Sequence, residues 1–80
     1  MPKLQRSDVP EAVIRHLARR VREREFTVQD VQAFARWLDK NPTVPDGDWF
    51  KRFVEMTAVG RGSLVLTLLK RTQTAVGEEL

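Results

Sequence analysis

Three residues spaced four apart, His16, Arg20 and Arg24, followed by Phe26-Thr27, are the part of this chain best equipped for chemistry. His16 is the only histidine in 80 residues. Its ordinary pKa lies near neutrality, so any acid–base chemistry would start there. On an α-helix each step of four turns about 40°, which lines the three side chains along one flank. That flank borders an apolar stripe of Val13, Leu17 and Val21, whereas Arg15, Arg19 and Arg22 point away from it. Arginines at the margin of a core suit phosphate oxygens. They can equally lay their stems over the core and pair with Glu23 or Asp30.

Metal-free RNA cleavage needs a group to take the 2′-hydroxyl proton, a group to protonate the leaving oxygen, and cations facing the charged phosphorane. His16 could serve as base or acid. Arg20 and Arg24, with Lys51 or Arg52 from further along, could supply the cations, and Thr67 a hydrogen bond to phosphate. With no second histidine and no tyrosine, the other proton-transfer group would fall to Glu23, Glu25, Glu55 or a lysine. Plainer roles compete: His16 as a half-exposed helix residue, Thr67 as a packed β-former. Trp37, off the main apolar face of its helix, and Trp49, just after a turn, suit a structural role, a partner surface or stacking on a base.

Other chemistries are set aside. One histidine and no cysteine leave only carboxylates as metal ligands, and Asp46-Gly47-Asp48 is far shorter than a calcium loop, so neither a metal nor a cofactor is expected. Gly60-Arg61-Gly62 lacks the lysine and following helix of a phosphate loop. Ser7 and Ser63 have no histidine nearby in sequence.

The chain is long enough for one small domain, residues 1–80, of ordinary globular composition: 41% hydrophobic and 31% charged. Without cysteine it has no disulfide to staple it, which fits a reducing cytoplasm. No run approaches the roughly 20 apolar residues of a membrane span, and Met1 to Arg6 lacks the apolar stretch of a signal peptide. Net charge is +3, and seven of the fourteen basic residues precede Phe26 against four acids, a balance that attracts polyanions.

The pattern of elements predicts how these residues are held. Asp8, with Glu11 three residues on and Pro10 in the first turn, starts a helix over about 9–25. Thr27 and Asp30 form a second start signal, with Phe26 stapled to Val31, for a helix over about 28–40 that Asn41-Pro42 stops. A turn-rich connector follows, then strands over about 49–59 and 63–70 joined at Gly60-Arg61-Gly62, and a tail over 71–80. Both faces of Leu64 to Leu69 are apolar, which predicts a central strand covered on both sides. If Arg61-Gly62 is a two-residue turn, Met56 lies opposite Thr67 and Arg52 shares its face, with Lys51 on the other; a bulge would reverse that.

His16-x3-Arg20-Val21-x2-Arg24-x-Phe26-Thr27, a second helix ending in Asn41-Pro42, and a hairpin with Thr67 late in the sheet together resemble small members of the ribonuclease-toxin superfamily that includes barnase, colicin D and RelE-type toxins. The resemblance implies an α+β fold, a two-helix hairpin packed on a small antiparallel sheet of two to four strands, and metal-independent RNA cleavage. On that reading His16 and Thr67 are catalytic, and Arg20, Arg24, Arg52, Lys51 and Arg61 bind phosphate. The alternative is a noncatalytic module that binds nucleic acid or docks on a larger protein, or a homodimer, with excess apolar surface on the hairpin. A winged helix is disfavoured, since Asp48 to Met56 is too short and apolar for a recognition helix.

Overall fold

The computed structural model of this chain describes residues 2–80. It is an α+β domain with an N-terminal helix pair, α1 (Glu11–Arg22) and α2 (Val28–Asp39), followed by four strands. These are β1 (Asp48–Arg52), β2 (Met56–Arg61), β3 (Leu64–Lys70) and β4 (Glu78–Glu79), in sheet order β3-β2-β1-β4.

α1 is shorter than expected at both ends. Asp8 does not cap it; instead Asp8 closes a 3₁₀ turn, Arg6–Asp8, where its carboxylate accepts the Gln5 N–H at 2.9 Å, and Pro10 takes the N-cap. At the other end Arg24 adopts a left-handed φ of 62°. Its N–H donates to the Val21 carbonyl at 3.0 Å and that of Glu25 to Arg20 at 2.9 Å, a Schellman ending at a position that favours glycine. α2 starts as predicted: the Thr27 hydroxyl accepts the Asp30 N–H at 3.1 Å while the Asp30 carboxylate accepts the Thr27 N–H at 2.9 Å. It stops at Asn41, whose φ of 48° turns the chain into Pro42.

The sheet departs from expectation in four respects. The expected strand over 49–59 is two strands, because Phe53 to Met56 make a tight turn in which the Phe53 N–H donates to the Met56 carbonyl at 2.7 Å. That turn carries neither glycine nor proline and hides inside an apolar run. The tail contains β4, which runs parallel to β1, so the sheet is mixed and not purely antiparallel. Arg61 pairs with Leu64, placing the β2–β3 turn at Gly62-Ser63 and Lys70, not Thr67, opposite Met56. Finally, β3 is an edge strand and not a central one; Leu64 and Leu66 are 46% and 47% exposed.

One face of the sheet carries Trp49, Met56, Ala58, Val65 and Leu68, all buried in the core with Val13 of α1 and Phe34 and Leu38 of α2. Phe53 reaches the same core, its ring 5.8 Å from that of Phe34. Alternation therefore puts Asp48, Phe50 and Arg52 of β1, Thr57 and Val59 of β2, and Thr67 and Leu69 of β3 on the opposite face. No helix lies there. The β3–β4 connection, residues 71–77, must cross from one sheet edge to the other, and the helices leave it this second face. Phe50 and Thr57 on that face lie outside the main core, at 7% and 3% exposure, with the Arg52 guanidinium over the Phe50 ring.

Candidate functional site

The flank proposed along α1 does not survive as a unit. Arg24 lies beyond the helix end and is exposed. Arg20 and His16 stay on α1, half-buried, but the Arg20 guanidinium is engaged by Glu25, whose other carboxylate oxygen takes the Lys70 ammonium at 2.8 Å. Lys70 and then Arg20 hold the Glu25 carboxyl below the usual carboxylate range, against an opposing push from burial. The three charges tie the end of α1 to the end of β3. Lys70 was not anticipated, because nothing local in the sequence links it to Glu25.

Thr67 sits opposite Val59 on the sheet face that the helices leave open, whereas His16 belongs to the helix layer, so the sheet separates the two. Arg52, paired with Thr57, shares the face of Thr67. The two residues thus share a face as expected, by a different route and without contact: Arg52 lines up with Leu69 of β3, two residues from Thr67. Splitting the first strand changed the parity of Arg52, and a bulge between Val59 and Gly60, with Leu66 as the extra residue of β3, changed that of Thr67.

Lys51 pairs with Ala58 and lies on the helix side. Arg61 is on the open face at the far end of the sheet, held to Asp48 by two bonds of 2.8 and 3.3 Å, a pairing that keeps the Asp48 carboxyl below its usual range. The two tryptophans pack against each other, and of the pair only Trp37 reaches the surface. Trp49 is fully buried, its indole N–H donates to the Gly62 carbonyl at 2.9 Å, and the half-buried Trp37 packs edge-on against it with ring centroids 5.7 Å apart.

What the open face does assemble is a pocket of about 380 Å³ beside the β1–β2 turn, lined by Arg52, Phe53, Val54, Thr57 and Arg71. Arg52 is positioned by stacking over the Phe50 ring at 5.4 Å. Arg71 starts the crossing connection, its N–H donating to the Glu55 carbonyl at 3.2 Å. Each guanidinium faces one exposed carboxylate at long range, Arg52 with Glu79 at 3.7 Å and Arg71 with Glu55 at 3.9 Å. Contacts so long and so solvated hold little energy, and both guanidinium forks stay free to take a phosphate. The turn that forms the pocket's wall is itself pinned from the helix layer, because the buried Asp30 carboxylate accepts the Glu55 N–H at 3.0 Å. Arg71 lies in the segment that the sequence presents as a tail, and the pairing of β3 with β2, which sets Lys70 opposite Met56, brings it beside Arg52.

Among the described residues no group of three or more metal-ligating side chains gathers, and no helix is long and apolar enough to cross a membrane. No protein-family model matches this chain, and neither a curated protein nor a solved structure is detectably similar to it.

Proposed function

We propose that this chain is a nucleic-acid-directed module that grips the phosphate backbone, RNA before DNA, on the open face of its sheet. The observation that carries the reading is the pair Arg52 and Arg71, two weakly engaged guanidiniums on one open pocket with Thr57 between β1 and β3. Two such forks can accept the oxygens of one phosphate or of neighbouring ones. The chain's net charge of +3 adds nonspecific attraction.

A second reading, metal-independent RNA cleavage of the kind the ribonuclease-toxin resemblance implies, moves from α1 to this pocket. It is favoured by Glu55 and Glu79, carboxylates that face the two arginines and could take a 2′-hydroxyl proton while the guanidiniums offset the phosphorane charge. One experiment separates the readings. A labelled single-stranded RNA is titrated with wild type, Arg52→Ala and Arg71→Ala, and parallel samples in EDTA are run on a denaturing gel. Salt-dependent binding that both variants weaken, with RNA left whole, supports the binding module. Cutting that both variants and Glu55→Gln lose supports the nuclease, and binding indifferent to Arg52 and Arg71 overturns both.

A further inference from the structure

The helix layer carries more apolar surface than its own sheet can cover. A helix packed on one sheet needs an apolar arc of roughly 100°. On α1, at 100° per residue, the apolar arc runs from Val13 through Leu17, Val21 and Ile14 to Ala18, and on α2 from Trp37 through Phe34, Leu38 and Val31 to Ala35 and Val28. The far part of each arc faces away from the sheet, with Ile14 50% and Val28 61% exposed. There the two helices border a continuous groove lined by Ile14, Leu17, Ala18, Val21, Val28 and Val31, about 440 Å³ in volume, which runs on past Ala35 and Leu38.

The charges on the rim of α1 select the occupant. Glu11 and Arg22 stand on the same side of the apolar strip at opposite ends of the helix. Arg22 has no carboxylate within ion-pairing distance among the described residues, and Glu11 has only an exposed contact of 3.6 Å with Arg15. A two-fold axis across the strip near Leu17 and Ala18 sets α1 antiparallel to its copy. That operation places Ile14 against the copy's Val21 and lets the small Ala18 bring the helices close. It also carries Glu11 of each chain to Arg22 of the other, twice by symmetry. The same axis lays α2 against its copy, so that the two hairpins close a four-helix layer between two outward-facing sheets.

We infer that this groove is the interface of a homodimer, a second copy of the chain seated on it through α1 and α2. The inference is independent of the nucleic-acid reading, since the dimer leaves the pocket at Arg52 and Arg71 on its outer surfaces.

The test is sedimentation equilibrium of the full chain from about 5 to 500 µM, with wild type, Ala18→Glu and the charge-swapped Glu11→Arg/Arg22→Glu variant. Circular dichroism serves as the check that each is folded. Ala18 is exposed in the single chain, so Ala18→Glu leaves that chain intact. The expected result is a wild-type dimer, a folded Ala18→Glu monomer, and restored dimerisation in the double swap, whose single members weaken it at least tenfold. A wild type monomeric throughout overturns the inference, and so does a dimer that Ala18→Glu leaves intact. Should Ala18→Glu fail to fold, Ile14→Gln, also at an exposed position, replaces it with the same two readings.

Discussion

The carboxylate of Asp30 accepts the backbone N–H of Glu55 at 3.0 Å, across 25 residues of chain, while its other oxygen accepts the Thr27 N–H and hydroxyl at 2.9 and 2.8 Å. One fully buried side chain therefore caps α2 and fixes the β1–β2 turn beside the arginine pocket. Burial alone would raise its pKa, but hydrogen bonds from Thr27, Glu55 and Val54 outweigh that and hold the carboxyl below its usual value of 3.8.

Asp30→Ala removes the cap and strands the Glu55 N–H, and urea unfolding is expected to show a loss of about 2–4 kcal/mol. Because the folded pKa lies below the unfolded one, the carboxylate's contribution is complete above the unfolded pKa and disappears as pH falls through the folded value. Wild-type stability should therefore fall on acidification below about pH 4, and Asp30→Asn should flatten that part of the profile.

Gly60 lies under the Trp49 indole, where an added Cβ would collide with the ring and come within 2.6 Å of the Leu64 carbonyl oxygen. Both obstacles are buried or belong to the bulged ladder, so neither can yield cheaply. Gly60→Ala is expected to cost about 3 kcal/mol and to lower the thermal midpoint markedly in calorimetry.

Arg24 holds a left-handed conformation at the end of α1 with an exposed side chain. A non-glycine residue there bears a steric cost of roughly 1 kcal/mol, so Arg24→Gly should raise stability by about 0.5–1 kcal/mol in denaturant titration. Because the residue lies off the open face, RNA affinity should change no more than the loss of one surface charge requires.

Arg52→Ala and Arg71→Ala should each weaken RNA binding and lower the slope of log affinity against log salt by about one. His16→Ala, in the helix layer, should leave both quantities unchanged. Filter binding at several salt concentrations reads all three, and an effect of His16→Ala equal to that of the arginines would put the contact back on α1.

Much of the helical layer was legible locally. Thr27, Asp30 and the stop at Asn41-Pro42 act within a turn of themselves, and a capping box means the same wherever the helix packs. The Phe53–Met56 turn was not legible, because its residue types favour a continuous strand and its geometry is held by Asp30 from another layer. That turn and the bulge at Leu66 together set the register, since side chains alternate with a period of two and a one-residue shift exchanges faces.

By itself, then, the sequence determined the class of the fold, the placing of two helices before the strands and the absence of cysteine chemistry, all properties of composition and of contacts within a few residues. The tertiary structure decided which charges meet. It joined Glu25 to Lys70, put His16 and Thr67 on opposite sides of a sheet, and, through the β2–β3 register, set Arg71 beside Arg52. Those pairings join residues far apart in the chain. Their partners are set by strand order, crossover path and register, none of which local propensity encodes.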